Sequence, residues 1–196
     1  MTAPAPIVPR RVLLQGLAAG GAAALGLGLL GGARPAAALG GTLPELDQPA
    51  PDFQLPGVAA GKPVSLGLAD FRGRWVVLYF YPRDFTSGCT LEARGFQRDR
   101  QAFVAAGAEV VGVSADGEEE HASFCQSEGL GYPLLSDPDG RVSRAYGSWI
   151  APFSQRHTFL IDPQGVLRAR WVAVRPAGHS QEVLTALREL QGSSAG

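Results

Sequence analysis

A chain of 196 residues with 17 basic and 18 acidic side chains carries a formal net charge of −1, and its 45% hydrophobic content is enough for a packed core. That balance gives no reason to expect binding to nucleic acid or to an anionic membrane surface. Two cysteines are too few for a disulfide scaffold, so chemistry is the more informative use of a thiol here.

Residues 1–38 read as an export signal of the twin-arginine type rather than as part of a fold. Arg10 and Arg11 precede a weakly apolar, Gly-rich run over 12–30, and Ala36, Ala37 and Ala38 offer a small-residue cleavage site. The run is also just long enough to span a bilayer, so an uncleaved anchor is the alternative. Cleavage after Ala38 removes Arg10, Arg11 and Arg34, leaving 14 basic side chains against 18 acidic ones, a net charge of −4. The expected location is the periplasm or the thylakoid lumen, with no stable membrane association after cleavage.

Residues 39–51, punctuated by Gly and Pro, are expected as an extended lead-in to one domain over 52–191, with a disordered tail over 192–196. Segments 52–55 and 62–66 predict a hairpin around a turn at 57–61. The aromatic and β-branched run 75–81 predicts a strand buried on both faces, stopped by Pro82, which has no N–H to give to a ladder. A helix is predicted from about 89 to 106, with Leu91, Phe96, Phe103 and Val104 toward the core and Gly107 at its end. A second buried strand follows over 109–114, then a helix over 116–129 with Asp116 near its cap. Residues 132–135 are strand-like, and a short helix ends near 146–147. Strands over 156–162 and 166–172 flank a tight turn at 163–165, and a helix over 178–190 closes the chain. The order predicts an α/β fold, a mixed central β-sheet flanked by helices with an N-terminal β-hairpin.

Cys89 falls in the first turn of the predicted helix, where unpaired N–H groups and the helix dipole favour a thiolate. The pattern Pro82-x-x-x-Thr86-x-x-Cys89 resembles the active-site motif of peroxiredoxins. Residues 80–90 as a whole are similar to the peroxiredoxin Q group, also called bacterioferritin comigratory proteins. The resemblance extends through 112–115, 134–137 and 156–162 and covers essentially all of 52–190. It implies a thioredoxin-like fold and a thiol peroxidase acting on hydrogen peroxide or organic hydroperoxides. By resemblance Cys89 is the peroxidatic nucleophile and Arg156 the cation beside it. Thr86 supplies a hydroxyl to orient the peroxide, and Pro82 shields the sulfur from over-oxidation.

Many members of that group carry a resolving cysteine five positions after the nucleophile, where this chain has Arg94. Another branch places it on the next helix, which makes Cys125 the implied resolving residue through an intramolecular disulfide. The plainer alternative is that Cys125 is a small core residue beside Phe124. Disulfide geometry needs Cα atoms within roughly 7 Å, so resolution from a separate helix requires local unwinding. A thioredoxin-like reductant and a monomeric state are the family's implication. No cofactor or metal is expected: His121, His157 and His179 lack metal-ligand spacing, and the acids at 116–120 read as a solvated helix start. Trp149 and Phe153 are candidates for the pocket mouth or for ordinary packing. A protein dithiol oxidoreductase would need Cys-x-x-Cys at the helix start, where Thr90, Leu91 and Glu92 follow Cys89 instead. A catalytically silent binding module is the remaining rival.

Overall fold

The structure, a computed structural model, describes residues 40–193 and the backbone of Ala37 and Ala38. Of the expected signal segment 1–38, residues 1–36 lie outside the described residues. Gln54–Ala59 (β1) and Lys62–Gly67 (β2) form a hairpin through Ala60 and Gly61, both at positive φ (48° and 74°), as a two-residue turn demands. The turn is tighter than the expected 57–61, because β1 runs on through Pro56 and Gly57. Both pair with β2, and Pro56 lies beyond the short stretch where β1 meets its other neighbour.

Trp75–Phe80 (β3) is followed by the helix Ser87–Ala105 (α1), then Ala108–Ser114 (β4) and the helix Glu118–Glu128 (α2). Leu134–Ser136 (β5) leads to the short helix Arg141–Ala145 (α3). His157–Ile161 (β6), Leu167–Trp171 (β7) and His179–Ser193 (α4) complete the domain. The seven strands make one mixed sheet in the order β7-β6-β3-β4-β5-β1-β2, with the β3–β4 and β4–β5 pairs parallel and the others antiparallel. The hairpin expected ahead of the core is thus the edge of the central sheet itself.

The alternation of side chains along β3 explains why that strand is apolar throughout. Val77, Tyr79 and Tyr81 enter one core with Phe96, Phe103, Phe124 and Leu184, whereas Val76, Leu78 and Phe80 enter the other with Phe53, Val142, Tyr146 and Phe159. Burying each such large side chain contributes roughly 1.5–3 kcal/mol. Gly112 of β4 has no side chain because one would meet the Tyr79 ring at 2.8 Å. Helices α1, α2 and α4 cover the first core, and α3 with the lead-in covers the second.

On α1 the buried face is Cys89, Glu92, Ala93, Phe96, Asp99 and Phe103, a spacing of three and four residues. Leu91 and Val104, expected inward, are exposed because they fall off that stripe. Helix α2 starts at Glu118 behind Gly117 as N-cap, two residues later than expected, with Asp116 directly before the cap. Of the tail expected over 192–196, Gly192 and Ser193 belong to α4, and 194–196 lie outside the described residues.

Candidate active site

The end of β3 and the loop after it are fixed before the chain reaches Cys89. Tyr81 N–H still bonds the Val113 carbonyl (3.1 Å), continuing the ladder, and Pro82 then ends it. Asp84 is buried and held three ways. Its N–H donates to Asp116 Oδ2 (2.9 Å), its Oδ1 accepts from the Tyr81 phenol (2.7 Å), and its Oδ2 meets His121 Nδ1 on α2 (2.8 Å). Phe85 follows at φ 59°, a left-handed conformation that costs a non-glycine residue strain. Its exposed ring packs edge-on against Phe124, centroids 5.1 Å apart.

Thr86 is the N-cap of α1, and the first helical hydrogen bond runs from Thr90 N–H to the Thr86 carbonyl (2.9 Å). The N–H groups of Ser87, Gly88 and Cys89 therefore have no partner within the helix, and their partial positive charge gathers at the sulfur. Cys89 is buried and free. Arg156, the residue preceding β6, brings Nη2 to 3.3 Å from Cys89 Sγ. Because β6 pairs with β3, His157 opposite Phe80, Arg156 lies beside the end of β3 from which the chain runs on to α1. Gly88 keeps the approach open, since a side chain there would stand 3.2 Å from Arg156 Nη2.

The second arm of Arg156 is engaged by Glu92, a residue the motif does not include. Glu92 lies three positions after Cys89 on the same helical face, and its Oε2 accepts from Arg156 Nη1. Only 1% of its side chain is exposed, and burial pushes the carboxyl up to about 7 against the pull of Arg156. The guanidinium is thus aimed by a carboxylate on one side and presented to the sulfur on the other.

Thr86 does not cap the helix with its side chain; its Oγ1 donates to the Arg83 carbonyl (3.0 Å). Pro82 is half-buried beside a cleft of about 360 Å³ that Phe153 also borders, while Trp149 packs over Arg144. Cys125 sits on α2, buried and unbonded, in the same core layer as Cys89 but not near it. Burial, with Asp84 adding to it, pushes the Cys125 thiol up to about 11. Arg94, at the position of the commoner resolving cysteine, instead pairs with Glu128 at the end of α2. Glu92, Asp84 and His121 are the residues that the sequence reading missed. The spacing of Glu92 from Cys89 could have revealed the first, whereas the Asp84–His121 pair spans 37 positions and carries no local signal.

A helix-capped thiol facing an arginine, on a sheet of this topology, is the arrangement of a thiol peroxidase. The chain belongs to the AhpC/TSA family, which it matches over residues 46–170, and it is a peroxiredoxin. Within that family it falls with the peroxiredoxin Q, or bacterioferritin comigratory protein, group on the thioredoxin-like fold. It is 38% identical over 152 residues to peroxiredoxin Bcp of Xanthomonas campestris, covering 73% of this chain and 94% of that relative. It is 37% identical to the mitochondrial thioredoxin-dependent peroxide reductase of Drosophila melanogaster, covering 74% and 67%. A solved structure of the X. campestris bacterioferritin comigratory protein, reported for its alkyl peroxide reduction activity, superposes with a TM-score of 0.65 at 35% identity, covering 69% and 90%.

Proposed function

We propose that the chain is an exported peroxidase for hydrogen peroxide and small organic hydroperoxides, using Cys89 as nucleophile and Cys125 as resolving residue. The Cys89 thiolate attacks the terminal oxygen of ROOH, forming an S–O bond as the O–O bond breaks. The departing alkoxide takes a proton and leaves as ROH, and Cys89 becomes a sulfenic acid. Arg156 and the N–H groups of the first turn of α1 stabilise the thiolate and the charge that moves onto oxygen. Thr86 Oγ1, already donating to Arg83, keeps its lone pairs to accept the O–H of the peroxide. Pro82 limits access of a second peroxide to the sulfenic acid.

Cys125 then attacks the Cys89 sulfenic acid, giving a disulfide and water, and a thioredoxin-like dithiol reduces the disulfide. Arg94 supports this route, because the nearer resolving position is taken by a side chain that cannot form a disulfide. Export rests on the paired arginines and the alanines at 36–38, and a monomer on resolution needing no second chain.

The single observation that carries the catalytic assignment is the 3.3 Å approach of Arg156 Nη2 to Cys89 Sγ in the first turn of α1. Peroxide consumption with a thiol reductant should be abolished in Cys89→Ser, and undiminished turnover in that variant would overturn the assignment. Non-reducing peptide mapping after one equivalent of peroxide should yield a Cys89–Cys125 linked peptide; its absence would refute Cys125 as the resolving partner.

A further inference from the structure

Among the buried polar groups, one nitrogen stands out. His121 is fully buried on α2, its Nδ1 meets Asp84 Oδ2 at 2.8 Å, and its Nε2 has no hydrogen-bond partner among the described residues. An ionised Asp84, already accepting from Tyr81, can only accept, so Nδ1 carries the proton and Nε2 keeps its lone pair. Such an acceptor is costly to bury idle.

Cys125 lies four residues further along the same helix, one turn away. Side chains at that spacing share a face with Cβ atoms about 5–6 Å apart, and the Cα–Cβ bond of the later residue tilts back toward the earlier one. Asp84 holds one side of the imidazole and Cys125 follows one turn beyond it; His121 Nε2 and the thiol make no hydrogen bond in the reduced fold, so they meet only when the Cys125 side chain turns toward the ring. The other titratable groups gathered around them are Tyr81 and Asp116 on the loop side, and Tyr132, which feels Glu92, Cys125 and Asp84 together.

We propose that His121 is the general base of the resolving step, with Asp84 as the residue that sets its tautomer and position. This rests on Cys125 being the resolving cysteine. His121 Nε2 takes the Cys125 proton while the sulfur attacks the Cys89 sulfenic sulfur. The S–S bond forms, the S–O bond breaks, and the departing hydroxide recovers a proton from the imidazolium to leave as water. Without such a base a thiol held up to about 11 is scarce as thiolate at neutral pH; only about one in ten thousand would be ionised.

The same anchoring decides which helix opens. The triad works only while α2 keeps its turn, so the first turn of α1 must be the part that moves. Asp84 stays tied to Tyr81, Asp116 and His121, and the strained Phe85 is the next residue along. The pivot falls between a triply held carboxylate and Gly88.

The test is rapid-mixing kinetics that resolve sulfenic acid formation from disulfide formation, in wild type and in His121→Asn. The asparagine amide can still donate to Asp84, which keeps the fold, but it cannot act as a base. Disulfide formation should slow by about 100-fold more than sulfenic acid formation. The wild-type rate of disulfide formation should rise with pH through an inflection that the variant lacks. A variant with the same rate ratio and the same pH profile would overturn the proposal. Should the variant fail to fold, a wild-type disulfide step rising log-linearly with pH and without inflection would overturn it equally. If wild type forms no Cys89–Cys125 disulfide at all, the resolving role of Cys125 fails first and the base falls with it. A disulfide that forms at unchanged speed in His121→Asn sinks the base alone.

Discussion

Cys89 and Cys125 are both buried thiols on helices that cover the same face of the sheet, yet their surroundings are opposite. Cys89 heads its helix with a guanidinium 3.3 Å away, whereas Cys125 lies inside α2 with a carboxylate, Asp84, as its charged influence. The first environment places a positive charge at the sulfur, and the second opposes the anion. Burial alone therefore says little about what a cysteine does; the sign of the nearest charge and the place along the helix say most of it. An attacker that must be ready before substrate arrives sits beside a cation. In the proposed cycle Cys125 is needed only after oxidation, so it can be kept neutral until then.

The contrast breaks most sharply at Arg156. Replacing it alone would leave Glu92 as an unpaired buried group, at a cost of about 3–5 kcal/mol. The double variant Arg156→Met with Glu92→Gln avoids that. Its second-order rate constant with hydrogen peroxide should fall by about 100-fold or more, as measured under single-turnover conditions. A rate within a few-fold of wild type would mean that the helix terminus suffices without the cation.

A smaller effect is expected from Glu92→Gln alone. Glu92 titrates at about 7 in the fold against a free value of 4.5. Between those values the folded chain holds a proton that the unfolded chain has released. Its contribution to stability is thus complete below the lower value and is lost as pH rises through the higher one. Urea midpoints should decline from pH 5 to pH 8 in wild type, and the glutamine variant should lose that part of the slope. An identical slope in both would place the titration elsewhere.

The smallest effect concerns Arg94. Its link to Glu128 joins the two cysteine-bearing helices, but the arginine side chain is 66% exposed. Arg94→Ala should change stability by less than about 1 kcal/mol by chemical denaturation. A larger loss would mark the link as a clamp between α1 and α2.

Much of this was legible in the sequence because it is local. The run at β3, the stop at Pro82 and the helix opening near Cys89 depend on neighbours in the chain, and the structure agrees to within two residues. The proximity of Arg156 came from resemblance, and strand pairing explains it. The rest depends on tertiary partners. Leu91 and Val104 are apolar and sit on a helix, yet the stripe defined by Cys89, Phe96 and Phe103 leaves them outside. Glu92 reads as a surface acid until Arg156 arrives from the neighbouring strand. His121 lacked metal-ligand spacing because its partner is a carboxylate in another segment.

The lead-in has a consequence of its own. Asp47 donates its N–H to the Leu167 carbonyl, Leu167 returns a bond to Gln48, and Ala50 bonds Gly165, so the segment lies along the outer side of β7. At the far side of the sheet β2 begins with Lys62 and Pro63, a charge and an imino acid that discourage strand addition. Both margins are thus guarded, one by a strap and one by chemistry. In the proposed cycle a helix opens at each turnover, and the apolar surface it would expose needs that protection. Guarded margins keep that exposure from seeding association between chains.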